Sequence, residues 1–316
     1  MGKKLISIMS NCFNEALNVE ELHRQVVEQL RQFPQYEYEL IFVDNCSTDG
    51  TVDRIRSIIA VDPNVRCIVN ARNFGQVRSP FHGLLQTRGA AVISMAADLQ
   101  DPPALLGDFI RKWEEGYAVV VGVKEKTREN FLMDWARRLY YRLLATLSES
   151  PQIENFTGFG LYDRSFIEVL RQLDETNPYF RGLVAELGWR IAQVSYTQPL
   201  RCKGKSSNSL LTLYDLAMLG FVNHSRLPLR LASIFGFLVA TFALLTALGY
   251  LIYKLFYWDT FQLGMAPLLI GIFLFGGLQL FFLGLIGEYI GVIYSRVRRR
   301  PLVIEQERLN FPSQEE

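Results

Sequence analysis

The chain is poor in several residues that would point to common functions. Among its 316 residues there are four cysteines and three histidines. Cys12, Cys46, Cys67 and Cys202 show no metal-like pairing, and the reducing compartment expected for this chain argues against disulfides. Charge of one sign is also missing: 33 Lys and Arg stand against 32 Asp and Glu, a net charge of +1, so no nucleic acid is expected as a partner. No internal repeat or low-complexity segment occurs. The opening Met-Gly-Lys-Lys runs straight into an alternating apolar segment, without the apolar region and cleavage site of a signal peptide.

The most informative absence is local. Residues 231–253 and 265–287 contain no charged side chain, and at 1.5 Å per residue each run is long enough to cross a hydrocarbon core of about 30 Å. A pair of buried core helices is the alternative; such helices seldom stay uncharged beyond about 14 residues. The expectation is therefore a two-helix transmembrane hairpin. Arg226 and Arg230 precede it, Arg296, Arg298, Arg299 and Arg300 follow it, and the connection holds only Lys254 and Asp259. That asymmetry expects both termini in the cytoplasm.

The whole chain is 49% hydrophobic and 21% charged, enough for a large core. Short apolar runs at 5–9, 39–43, 65–69, 91–95 and 118–123 read as strands, and 18–33, 51–60 and 102–115 read as helices. Strand and helix in alternation imply an α/β domain, a mostly parallel sheet with helices on both faces. Ligands of such sheets bind at the carboxyl ends of the strands. Residues 128–147 carry a helical pattern, and 208–222 an apolar stripe that suits an interfacial helix on a membrane or a helix of the core. The expected division is 1–207 for the α/β domain, 208–228 for the interfacial region, 229–295 for the hairpin and 296–316 for a C-terminal tail.

Four polar stretches follow strands, 11–15, 44–50, 71–76 and 98–103. Asp44-Asn45-Cys46-Ser47-Thr48-Asp49-Gly50-Thr51 ends a strand on a carboxylate and enters a helix; Asp44 is placed to accept from a base or ribose, while Asp49 or Ser47 suits a cap. In Ala96-Ala97-Asp98-Leu99-Gln100-Asp101-Pro102-Pro103, alternation puts Asp98 and Gln100 on one side, where two oxygen ligands would hold Mg²⁺ or Mn²⁺ beside a diphosphate. Asp101, directly before Pro102, reads as a helix cap rather than a catalytic group. His82 has no partner at ligand spacing and reads as a helix residue packed beneath a loop.

Asn14-Glu15, the 44–51 turn, Arg72-Asn73-Phe74-Gly75-Gln76, the 98–103 stretch, and Gly287-Glu288-Tyr289-Ile290-Gly291 before an arginine-rich end together resemble the family 2 glycosyltransferases. The likeness is strongest to those acting on polyisoprenyl phosphates, the bactoprenol glucosyltransferase and dolichol-phosphate mannose synthase type. It implies a GT-A fold and inverting transfer of a sugar, from a nucleotide diphosphate sugar such as a UDP-hexose to a polyprenyl phosphate. It also implies an integral protein of the bacterial inner membrane, and a homo-oligomer is expected. By the resemblance Phe13, Asn14, Glu15, Asp44 and Asn73 line the nucleotide pocket. Asp98 and Gln100 hold the metal, Asp98 and Arg201 act in catalysis, and Lys124, Arg201, Lys205 and Ser206 grip phosphate.

Departures stand beside the matches. Relatives usually carry proline at Asn11, aspartate at Asn45 and aspartate at Ala96, and their Thr-Gly-Asp-Phe-Arg element is here Thr157-Gly158-Phe159-Gly160-Leu161. Those losses leave a second reading open, a non-catalytic nucleotide-sugar-binding membrane scaffold or sensor. Of the carboxylates near the altered element, Glu154 is one candidate base, and Asp163, before Arg164, reads also as a helix start.

Overall fold

The computed structural model describes residues 2–125, 153–173, 178–199, 227–256, 265–297 and 301–312. The helical patterns at 128–147 and 208–222, and Arg201, Lys205 and Ser206, lie outside the described residues.

Within them, the five apolar runs form strands: β1 (Lys4–Cys12), β2 (Tyr36–Asp44), β3 (Val65–Asn70), β4 (Ala91–Ala96) and β5 (Val119–Lys124). Between them lie α1 (Val19–Leu30), α2 (Thr51–Val61), α3 (Gly75–Leu85) and, after a 3₁₀ turn at Pro103–Leu105, α4 (Leu106–Glu114). Alternation along the strands builds two cores. Ile6, Ile8, Leu40 and Phe42 face one way and pack with Leu22 and Val26 of α1, Ile55 of α2 and Phe109 of α4. Met9, Ile41 and Val43 face the other way, with Phe81 and Leu84 of α3. Each such side chain contributes about 1.5–3 kcal/mol by leaving water.

The second core is completed by α5 (Arg164–Gln172) and α6 (Phe180–Glu186), through Phe166, Ile167, Leu170 and Val184. Three further strands join the sheet: β6 (Phe156–Asp163), β7 (Ile191–Tyr196) and β8 (Glu305–Leu309). The order is β7-β5-β6-β4-β1-β2-β3-β8. β1 to β4 are mutually parallel, as is the β5–β7 pair, whereas β6 runs antiparallel to both β4 and β5, and β8 antiparallel to β3. The sheet is therefore mixed: six of its eight strands run the same way, and β6 and β8 oppose them. β6 is hidden in the sequence by its glycines, yet one of them is required there: a Cβ on Gly160 would stand 2.4 Å from the Val120 carbonyl oxygen of β5. β8 comes from the stretch expected as a tail.

Residues expected in the hairpin are helical, in α7 (Leu227–Phe256) and α8 (Met265–Val297). Large apolar side chains stand exposed along both, Phe237, Phe242, Leu280 and Phe281 among them. Part of each helix's side chains lies outside the described residues, and among the described residues no helix is long and apolar enough to cross a membrane. The expectation of an integral inner-membrane protein with both termini cytoplasmic is corrected on that finding. An uncharged run is a statement about composition; crossing about 30 Å needs continuous helix that is both long and apolar.

Candidate active site

Because β1 to β4 are parallel, their carboxyl ends share one edge, and the loops that follow interlock there. Asn14, held at φ +57°, receives the Thr48 N–H on its Oδ1 at 2.8 Å and gives its own N–H to Ser47 Oγ at 2.9 Å. The Glu15 N–H reaches Thr51 Oγ1 at 2.9 Å, and its buried carboxylate takes Asn18 Nδ2. Phe13, half-buried, sits between β1 and this clasp. Asp44, fully buried, closes the turn by accepting the Ser47 N–H at 2.9 Å, and burial raises its pKa despite that bond. Asp49 accepts the N–H groups of Thr51 and Ala16 at 3.1 Å. It thus serves the start of α2 from one residue before the Gly50 cap position, where φ is +86°.

Three asparagines join β2, β3 and α3. Asn45 Nδ2 donates to Asn73 Oδ1 at 2.8 Å and to the Gly75 carbonyl at 3.3 Å, while Asn45 Oδ1 accepts from the Phe74 N–H at 2.9 Å and from Asn70 Nδ2 at 3.2 Å. Asn73 Oδ1 also receives the Gly75 N–H at 2.8 Å. Backbone groups thereby settle which way the Asn45 and Asn73 amides face. The loop they organise presents Arg72 over the Phe74 ring, 4.2 Å to its centroid.

The turn after β4 is the tightest part. Leu99 is held at φ +61°, a conformation a branched side chain rarely adopts, and the Gln100 N–H closes on Asp98 Oδ1 at 3.1 Å. Asp98 and Gln100 are half-exposed, whereas Leu99 and Asp101 are buried. Asp101 is not the cap expected of it. The 3₁₀ turn has Pro102 at its cap position and no side-chain cap, and the Asp101 carboxylate instead receives the Ala96 N–H at 3.0 Å and the Tyr196 hydroxyl at 3.2 Å. Burial pushes its pKa up to about 6, against the pull of the Ala96 N–H and the Lys124 ammonium; the Asp98 charge adds to the rise. Lys124, the last residue of β5, thus shares the neighbourhood of Asp98 and Asp101. Among the described residues no group of three or more His, Cys, Asp or Glu gathers to hold a metal. Asp98 and Gln100 are hard oxygen donors suited to Mg²⁺ or Mn²⁺ only if a ligand's own oxygens complete the shell.

Residues 7–171 match the pattern of Glycosyl transferase family 2. The chain belongs to that family. It is 36% identical over 301 residues to an uncharacterized glycosyltransferase, YkcC, of Bacillus subtilis (strain 168), covering 95% of this chain and 93% of the relative. It is 31% identical over 300 residues to the SfII prophage-derived bactoprenol glucosyl transferase of Shigella flexneri, covering 95% and 96%. A solved structure, glucosyl-3-phosphoglycerate synthase from Mycobacterium tuberculosis in complex with Mn²⁺, UDP and phosphoglyceric acid, matches with a TM-score of 0.46 and 21% identity, over 69% of this chain and 76% of that one.

As a family 2 glycosyltransferase the chain takes its sugar from a nucleotide sugar, and its departures from the family pattern now have structural settings. Asn45, where relatives usually have aspartate, uses both halves of its amide. Ala96, where relatives usually have the first acidic residue, has its N–H engaged by Asp101. The altered element 157–161 lies in β6, which separates the two carboxylates weighed as bases. Glu154 is at the end beside Lys124, whose N–H bonds the Asn155 carbonyl at 3.2 Å. Asp163 pairs with Ala91 at the start of β4, the opposite edge from the site, and caps α5 by accepting the Ser165 N–H at 2.9 Å. Neither Asp101 nor Tyr196 stood out as a site residue in the sequence. The signal for Asp101 was present, a carboxylate in an apolar turn, but its partner lies 95 positions away.

Proposed function

We propose that this chain transfers a sugar, with inversion, from a nucleotide diphosphate sugar of the UDP-hexose type to a polyprenyl phosphate. The observation that carries the reading is the extent of the likeness to the bactoprenol glucosyl transferase: it runs through 95% of this chain, well beyond the 7–171 stretch that any family member shares. Phe13, Asn14, Glu15, Asp44 and Asn73 would line the nucleotide side, since the loops carrying them converge at one sheet edge.

The chemistry asks little of a base. A phosphate monoester has its second pKa near 6, so the acceptor arrives at neutral pH largely as a dianion. One of its oxygens attacks the anomeric carbon, the bond from that carbon to the diphosphate breaks, and the nucleoside diphosphate leaves with the electron pair; no proton moves. That balance fits a chain without the family's usual aspartate at residue 159. Asp98 and Gln100 would hold a divalent cation, which when bound stabilises negative charge on the leaving diphosphate. Lys124 places a further positive charge at the same edge, as a point charge rather than a fork. Arg201, Lys205 and Ser206 complete the proposed phosphate grip. Holding the acceptor in line removes several kcal/mol of entropic barrier, on the order of 7 or more in the best oriented systems.

The test is to incubate the purified chain with UDP- and GDP-sugars, a polyprenyl phosphate and Mg²⁺ or Mn²⁺, and to look for a glycolipid. Asp98→Ala should abolish metal-dependent turnover with little change in thermal stability. Nucleotide binding without a glycolipid from any donor would overturn the reading in favour of a non-catalytic sensor.

A further inference from the structure

Outside the site, the feature with the most unexplained construction is β8. The strand is docked along its whole length. It pairs with β3 in the register Cys67↔Leu309, Ile68↔Arg308, Val69↔Glu307 and Asn70↔Glu305, with an irregularity between Val69 and Asn70. One more bond continues beyond the end of β3: the Ala71 N–H donates to the Ile304 carbonyl at 2.9 Å. At the other end Asn310 Nδ2 donates to the carbonyls of Pro63 and Val65, at 2.9 and 2.7 Å. Val303 is buried.

The side chains of β8 also grip α3. Glu305 Oε1 meets His82 Nε2 at 2.6 Å, both side chains being less than one-fifth exposed. Arg308 donates to Gln86 Oε1 at 2.7 Å and pairs with Glu305. Ala71, at the start of the β3–α3 loop, and His82, in the helix after it, are therefore tied to neighbouring residues, Ile304 just before β8 and Glu305 at its start. Between these ties lie Asn73 and Phe74, whose inward side is tied to Asn45. A loop bound at its base, its following helix and its inner face has little freedom left. An edge strand with charged side chains would by itself serve only to protect β3; that role does not require contacts to α3 or to the loop.

We propose that β8 is a positioning element for the donor: it clamps the β3–α3 loop from outside the sheet and so sets where Asn73 stands on the nucleotide side. Glu305 and His82 are the positioning residues. This rests on the functional reading above, which puts Asn73 beside the nucleotide.

The experiment uses the full chain with UDP as the probe, comparing the parent with Glu305→Ala, Glu305→Gln, His82→Ala and the Glu305→Ala/His82→Ala pair. UDP affinity, donor KM and kcat are measured, together with amide hydrogen exchange over residues 71–76. The expected result is faster exchange there in Glu305→Ala and His82→Ala, with UDP affinity weaker and donor KM higher by on the order of fivefold and kcat little changed. The double variant should be no worse than the more affected single variant, because both remove one contact. Glu305→Gln, which keeps a side-chain acceptor for His82, should restore much of the affinity. Unchanged exchange at 71–76, or unchanged UDP affinity despite a lower melting temperature, overturns the proposal, since a merely structural strand would alter stability alone. A parent chain that bound no UDP would overturn the assignment of this loop to a nucleotide along with the functional reading, and the exchange data would still report whether the clamp itself exists.

Discussion

Restoring the family's usual residue at position 45 should damage this protein. In the native chain the Asn45 side chain gives two hydrogen bonds, to Asn73 Oδ1 and the Gly75 carbonyl, and accepts two, from the Phe74 N–H and Asn70 Nδ2. The residue is 7% exposed. Asn45→Asp keeps the accepted bonds, loses both donated ones, and sets a carboxylate against two oxygens. Two neutral hydrogen bonds are worth about 2 kcal/mol. Desolvation and repulsion add to that until the new carboxyl takes up a proton instead, so a total of about 3 kcal/mol at pH 8 is reasonable. For a domain of this size that lowers the melting temperature by roughly 6–12 °C. The sign of the pH dependence follows from linkage. Such a carboxyl has its folded pKa above the unfolded value near 3.9, so its cost is complete above the folded pKa and fades as pH falls toward the unfolded one. Circular-dichroism melts of parent and variant should therefore differ most at pH 8 and converge toward pH 5. A variant melting within about 2 °C of the parent at pH 8 would falsify the hydrogen-bond assignment.

Two further outcomes test the fold. Gly160→Ala drives a Cβ to 2.4 Å from the Val120 carbonyl oxygen, backbone that cannot swing aside; urea unfolding should show a loss of about 3 kcal/mol, and a loss below about 1 would mean that β5 and β6 are not so closely packed. Asp62 is pulled two ways. Its burial raises the carboxyl pKa, but the bonds from His23 at 2.8 Å, the Tyr38 hydroxyl at 2.7 Å and the Asn64 N–H at 3.0 Å outweigh burial and hold it below the usual range. Its stabilisation is complete above the unfolded pKa near 3.9 and lost as pH falls through the lower folded value. Asp62→Asn should accordingly flatten the fall of the urea midpoint between about pH 4 and pH 2, and an unchanged slope would refute the assignment.

Much of this was legible before any coordinates. The five apolar runs became β1 to β5, the last three within a residue at each end and β1 and β2 longer by three residues at one end, because burial on both faces demands apolar side chains. The polar loops after β1, β2, β3 and β4 were legible as strand-end segments, and His82 is a helix residue as expected, bonded to Glu305. Less legible were β6, masked by glycines that close packing requires, and β8, whose Glu-Gln-Glu-Arg-Leu reads as surface because its charges find partners only on other elements. Asp101 misled for a local reason: beside Pro102 a carboxylate resembles a cap, and its real partner is distant in sequence. The two uncharged runs show the same limit, being helical as expected while no helix among the described residues meets the demands of crossing a membrane.

The sequence by itself determined the α/β alternation and the family, since these depend on side-chain type and on spacing within a few turns of chain. Tertiary structure alone decided the antiparallel insertion of β6, the docking of β8, the asparagine hub and the burial of Asp101. Each of those rests on pairing between groups far apart in the chain, and a hydrogen bond or a desolvated charge exists only once folding has brought its partners together and removed the water between them.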